Sequence, residues 1–184
     1  MSSKKQRREP RKIKVFCLTG TPGTGKTTIC GLVKEKLDTD DYLFINVGDL
    51  IKEKKLYTEW DDDMNCSIFD EDALGAELKR TIKKADKEGK KGILIDFHSI
   101  GFIPRKLVDN VIVVRTETNL LWERLEKRGY KEAKIKENLE AEIFMESYNE
   151  AIDQFDEEIV GQRDNNTEDD MSATVKHIVD LFSQ

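Results

Sequence analysis

The chain has 184 residues, 37% of them charged and 38% hydrophobic, and its formal net charge is −6. That length suits one domain with a real core, and the composition is that of a highly charged, soluble intracellular protein. No apolar stretch approaches the ~20 residues that span a bilayer, and no secretory apolar segment follows the basic start, so no membrane partner is expected.

The first fourteen residues hold Lys4, Lys5, Arg7, Arg8, Arg11, Lys12 and Lys14 against Glu9 alone, which leaves −12 on the rest. A basic arm on an acidic body suits a nucleic-acid contact, a nuclear import signal or simply a solvated leader. The arm is expected to be disordered over 1–12, with a single folded domain over 13–184. A short apolar run, Val15-Phe16-Cys17-Leu18, predicts the first strand. Gly20-Thr21-Pro22-Gly23-Thr24-Gly25-Lys26-Thr27 follows it, and a helical pattern runs from Thr28 to Leu37.

Strand, glycine-rich loop and helix together are the context a phosphate-binding loop needs. The glycines let successive N–H groups point into one concavity, and the helix N-terminus adds partial positive charge there. Lys26 is placed to reach the β- and γ-phosphates, and the Thr27 hydroxyl is placed to ligate Mg²⁺. The sequence therefore predicts a protein that binds a nucleoside triphosphate.

A second strand is predicted over Tyr42 to Ile45, then a polar segment to about Asp72 and a helix to Glu88 closed by Gly89. Further strands are expected at Gly92 to Asp96 and Val111 to Val114, the latter leading to a helix that ends at Gly129. Residues from about 132 to 160 give one long helix or two, with Ile143, Phe144, Tyr148, Ile152, Phe155 and Ile159 at helical spacing. A polar loop (161–170) then precedes a last amphipathic helix. Continuous apolar strands alternating with helices predict an α/β fold, a three-layer parallel sheet flanked by helices. Cys17, Cys30 and Cys66 suit neither a zinc site nor a disulfide framework, so Cys17 and Cys30 are expected as buried thiols.

Ligands in such sheets bind at the carboxyl ends of the strands. Asp96 terminates one of them, so its carboxylate is expected beside the loop, holding Mg²⁺ through water. If the strand continues, His98 points to the same side, where it orients or deprotonates a water or organises the loop. The Asn-Lys-x-Asp motif of guanine-specific switches is absent. A small nucleotide kinase needs an acceptor-phosphate pocket, and Asn46-Val47-Gly48-Asp49-Leu50, Lys52 and Arg105 are candidates for it. Arg124 and Arg128, four apart on one helix face, are candidates for a lid that closes over the triphosphate.

These blocks, with Asp96-Phe97-His98, Val114-Arg115-Thr116-Glu117-Thr118-Asn119-Leu120, Glu123-Arg124-Leu125, Arg128-Gly129-Tyr130 and Glu142-Ile143-Phe144, resemble the adenylate kinase isoenzyme 6 family from about Val15 to the C-terminus. The resemblance implies a phosphate-loop nucleoside-triphosphate hydrolase and nucleoside monophosphate kinase fold. It implies phosphoryl transfer between ATP and AMP, a slow ATPase activity, and a role in small ribosomal subunit maturation and 18S rRNA processing. It also implies a small-subunit ribosomal protein as partner, in nucleus and cytoplasm; the charge of the arm suits a contact with pre-ribosomal RNA. By resemblance, Gly23, Thr24, Gly25, Lys26, Thr27, Thr28 and Arg128 bind ATP. Residues 46–69 form the monophosphate segment, 127–137 the short lid, and Asp96 with His98 the metal and ATPase signature.

Three features depart from that pattern. Lys52 stands where related kinases usually carry an arginine, which supplies charge without the bidentate fork. The stretch Arg163 to Thr167 lacks the lysine relatives carry before the last helix, and the arm is an extension. Besides the kinase and ATPase, an ATP-gated assembly factor and a kinase with a hydroxyl acceptor fit the same loop.

Overall fold

The computed structural model describes residues 11–61 and 66–184, and side chains throughout these except at 59–61 and 66–68. Strands β1 (Lys14–Thr19), β2 (Tyr42–Asn46), β5 (Gly92–Asp96), β6 (Asn110–Arg115) and β7 (Val160–Asp164) form a parallel sheet in the order β2-β5-β1-β6-β7. A separate antiparallel hairpin pairs β3 (Tyr57–Asp61) with β4 (Cys66–Phe69). The central strands are buried along their length because helices cover both faces, so their side chains need no polar alternation.

On one face, Ile29 and Val33 of α1 (Lys26–Lys36) and Val175, Ile178 and Phe182 of α7 (Glu168–Ser183) pack on Phe16, Leu18, Leu94 and Val114. On the other, α2 (Val47–Lys54), α3 (Glu71–Lys87) and α6 (Glu146–Gln154) pack on Val15, Cys17, Ile93, Ile95 and Val113. A smaller cluster of Leu121, Leu125 and Ile135 joins α4 (Thr118–Lys127) to α5 (Glu132–Ile143). The helices start at side-chain caps where the sequence supplies them. Asp70 accepts from Ala73 N–H, and Thr167 and Asp170 form a capping box at α7. Gly89, at φ +79, follows the end of α3.

Several expectations are refined. The polar segment after β2 holds α2 and the hairpin. The span 132–160 is two helices, broken at Met145, whose φ is +58. The expected loop 161–170 begins as β7, an exposed edge strand whose polar Val-Gly-Gln-Arg-Asp lacks the apolar run that identified the others. Ile143 and Phe144 lie outside the core, at 60% and 67% exposure. The buried face of α5 runs instead through Ile135, Asn138 and Glu142, three to four residues apart, which turns Ile143 outward.

Most of the basic arm, residues 1–10, lies outside the described residues. Arg11, counted with the arm in the sequence, is docked on the body. Its guanidinium donates to the Lys106 carbonyl at 2.7 Å and to Asp109 Oδ2 at 2.6 Å. Cys17 is buried and Cys30 half-buried, and burial holds both thiols well above their ordinary value, Cys30 at about 12. No helix among the described residues is long and apolar enough to cross a membrane.

Candidate active site

The turn from β1 into α1 runs at positive φ through Gly20, Gly23 and Gly25, a region open to glycine but strained for other residues. Close approach reinforces this choice. A Cβ on Gly20 would lie 2.3 Å from the Val114 carbonyl, and one on Gly25 would lie 2.2 Å from Asn165 Nδ2. The Thr24 hydroxyl donates to the Thr21 carbonyl at 2.9 Å, which closes the loop on itself.

Lys26 is buried, and its ammonium donates to the carbonyls of Gly20 at 2.6 Å and Thr21 at 3.0 Å. Burial lowers its pKa from 10.5 to about 8. Asp96 and Glu142 oppose that shift, and the Arg128 charge adds to it. The empty loop thus holds a lysine whose charge is only partly compensated, ready for an anion.

Asp96 ends β5 opposite Asn46 of β2 and Leu18 of β1 in the sheet register. Its Oδ2 accepts from Thr27 Oγ1 at 2.8 Å and from Asn46 Nδ2 at 3.1 Å. One carboxylate therefore ties the loop, the strand end and the start of the acceptor segment together. The side chain of Asn46 also caps α2, accepting from Asp49 N–H.

A cleft of about 440 Å³ opens over these groups. Gly23, Gly25, Lys26, Thr27 and Arg128 form one wall, and Asn46, Gly48, Ile51 and Lys52 the other. Phe69 and Phe97, edge to face at 5.5 Å, and His98 complete the lining. The strand does not continue to His98, which sits in the bend after β5 yet still faces the cleft beside Asp96. Desolvation in the cleft wall, then the Lys26 charge, lowers its pKa, against a pull upward from Glu150. The imidazole is therefore neutral at pH 7 and able to accept a proton.

The side chains of five expected residues do not line the cleft. Arg105 lies away from the cleft because its guanidinium donates to the Asp153 carbonyl at the end of α6. Arg124 likewise points beneath the loop, bonding to the Asn165 carbonyl at 2.9 Å and to Thr116 Oγ1 at 3.2 Å. Asp49 opens on a neighbouring cavity of about 500 Å³ between α1 and α2. Thr28 is exposed on α1, and the Thr24 side chain is turned inward, so at these two the main chain is what faces the loop.

Three supporting residues escaped the sequence reading. Glu142 is buried at the end of α5, where it accepts from Thr21 Oγ1, Arg115 Nε and Thr116 N–H. Asn165, just after β7, donates to the Thr24 carbonyl at 2.7 Å. Glu150 of α6 takes the Ser99 hydroxyl and the amides of Ile100 and Gly101, which holds the loop that carries His98. Of these, Glu142 alone stands in a block that carries the family resemblance, which gave it no role. Its long-range partners leave no local pattern.

Residues 17–145 match a family described as AAA domain. An adenylate kinase isoenzyme 6 homolog of Caenorhabditis elegans is 36% identical over 184 residues, covering 100% of this chain and 95% of that relative. A homolog of the same description from Plasmodium falciparum is 36% identical over 156 residues, covering 79% of this chain and 82% of the relative. Among solved structures, shikimate kinase from Bacteroides thetaiotaomicron superposes with a TM-score of 0.54 at 15% identity, covering 93% of this chain and 99% of that one. At that identity the likeness establishes the fold, a phosphate-loop kinase fold, and nothing finer.

Proposed function

The chain belongs to the adenylate kinase isoenzyme 6 family, and we propose that it moves the terminal phosphoryl of ATP to AMP and related nucleoside monophosphates. In the same reading it hydrolyses ATP slowly and serves small ribosomal subunit maturation and 18S rRNA processing. The observation that carries the reaction is one cleft with two differently built walls. Lys26, Thr27, Arg128, Asn46, Gly48 and Lys52 all line it; in this reading the first three hold the triphosphate and the last three the smaller acceptor.

Catalysis in such a cleft is positioning and charge stabilisation. The loop amides and Lys26 hold the β- and γ-phosphates, and Lys26 leaves its two carbonyl partners to do so. Arg128, at the C-terminus of α4 next to Gly129, closes over the transferring group. Lys52 and the N-terminus of α2 hold the acceptor phosphate in line. The Thr27 hydroxyl and the Asp96 carboxylate, hydrogen-bonded at 2.8 Å, are the hard oxygen donors that Mg²⁺ takes, and with phosphate oxygens they would hold it. When bound, the ion neutralises charge on the phosphates. Without a monophosphate, the neutral His98 imidazole orients a water at the same place.

The ribosomal role is supported by the family resemblance and by the acidic body, which steers a basic small-subunit ribosomal protein toward it. Nucleus and cytoplasm are the compartments that go with it. The decisive assay compares ADP formed from ATP plus AMP with phosphate released from ATP alone, each with and without a basic ribosomal protein. ADP formation that depends on AMP supports the kinase. Phosphate release indifferent to AMP, but stimulated by the basic protein, replaces it with an ATP-gated assembly factor.

A further inference from the structure

The acidic body is not uniformly acidic. Residues 79–91 hold seven cations, Lys79, Arg80, Lys83, Lys84, Lys87, Lys90 and Lys91, against Asp86 and Glu88. Four of them, Arg80, Lys83, Lys84 and Lys87, fall three or four residues apart on α3, which places them on one helical stripe. All four are exposed, and with Glu88 they line a shallow depression of about 480 Å³.

Two ion pairs in this stripe are local and solvated. Arg80 pairs with Glu77 at 2.7 Å and Lys84 with Glu88 at 3.7 Å, both within the same helix, with the Arg80 and Lys84 side chains about 70% exposed. Such exposed pairs are worth little and exchange readily for a stronger anion. Asp86, between Lys83 and Lys87 in the sequence, is engaged by main chain. Its Oδ1 accepts from the amides of Lys12 and Ile13, each at 3.0 Å. That contact ties Lys12 and Ile13 to α3. Arg11 adds a second tie, to the carbonyl of Lys106.

We propose that the exposed face of α3, with Arg80, Lys83, Lys84 and Lys87, is a docking surface for the phosphate backbone of an RNA strand. The stripe rises about 10 Å along the helix, which spans two or three phosphates of one strand. No exposed large hydrophobic side chain accompanies it among the described residues. Tyr57, Ile143 and Phe144 all lie on other elements. A surface of this kind binds phosphates without inserting into a lipid headgroup layer or reading bases. The choice of RNA among polyanions rests on the ribosomal reading above, whereas the phosphate contact does not.

Position makes the surface compatible with turnover. The stripe lies on the C-terminal half of α3, which ends just before Gly92 at the start of β5, whereas the cleft lies past Asp96 at its other end. RNA on α3 leaves the nucleotide cleft open, so the protein can cycle ATP while tethered.

The test uses three proteins: the full chain, a chain lacking residues 2–10, and that shortened chain carrying Lys83→Gln, Lys84→Gln and Lys87→Gln. Each is titrated by fluorescence anisotropy against a labelled 20-nucleotide single-stranded RNA between 50 and 200 mM KCl. The shortened chain should still bind, with an affinity that falls as salt rises. The triple substitution should weaken it about tenfold or more and reduce the slope of log affinity against log salt by about 2, at ~0.7 per phosphate. ATP turnover and the thermal midpoint should not change, since none of the three lysines lines the cleft. The proposal is overturned if the shortened chain does not bind RNA, or if the triple substitution leaves affinity and slope unaltered. Equal, lysine-dependent binding to phosphatidylserine vesicles would also overturn it, in favour of a membrane surface.

Discussion

The Thr21 hydroxyl, inside the phosphate loop, donates a 2.5 Å hydrogen bond to Glu142 Oε2, a buried carboxylate at the end of α5. Through Arg115 and Thr116 the same carboxylate is tied to the end of β6, so α5 and the glycine-rich loop share one anchor. Glu142→Ala would leave the Arg115 Nε–H and the Thr21 hydroxyl without their acceptor. Removing one partner of a buried pair costs about 3–5 kcal/mol, and Arg115 is partly exposed, so the lower end applies. The thermal midpoint should fall by roughly 6–12 °C and KM for ATP should rise. A loss near that of an exposed pair, under about 1 kcal/mol, would mean that the anchor is incidental.

Lys26→Ala should suppress phosphoryl transfer and hydrolysis together, because one ammonium serves the same phosphates in both. The expected loss is about 10²-fold or more in kcat/KM for each, by the size of preorganised electrostatic interactions. Turnover close to that of the unaltered protein would remove the phosphate-loop argument.

The same residue predicts a pH dependence. Only the ammonium binds polyphosphate, and in the empty protein it titrates at about 8. KM for ATP should be flat from pH 6.5 to 7.5 and climb above 8, by up to about tenfold per pH unit. Glu142 supports the charge, so Glu142→Gln should move the break to lower pH. Stability runs the other way. Between pH 8 and about 10.5 the unfolded chain binds the extra proton, so this group makes the empty fold more stable as pH rises. A KM that stays flat to pH 9.5 would contradict the assignment.

His98→Ala should depress ATPase activity by up to about 10²–10⁴-fold while Mg·ATP binding persists. AMP phosphorylation should suffer less, because the acceptor phosphate is its own nucleophile and is held by the α2 wall. His98 faces the cleft and is exposed there, so thermal stability should change little. A parallel fall of both activities with the thermal midpoint would instead mark it as a support for the Asp96 loop.

Local pattern carried much of this protein. The glycine spacing, the apolar strand before it and the helix after it specify a phosphate loop from neighbouring residues alone. Strand ends are equally legible, which is why Lys26, Thr27, Asn46, Asp96 and His98 all meet in one cleft. A parallel sheet with two covered faces follows from the same apolar runs, whereas the strand order and the fifth strand β7, whose polar edge has no such run, do not.

What the tertiary structure decided was the direction of long side chains and the contacts between distant segments. Arg105 and Arg124 have the right type and the right element, yet backbone carbonyls at Asp153 and Asn165 claim them, 48 and 41 residues away. Glu142 belongs to a block that the family resemblance marks, but its place beneath the loop, bonded to Thr21 121 residues away, comes only from the packing of α5. Sequence periodicity fixes which face of a helix is apolar, but not which polar residue the packing of two elements will bury. That choice depends on which donors lie opposite, and only the assembled fold brings them there.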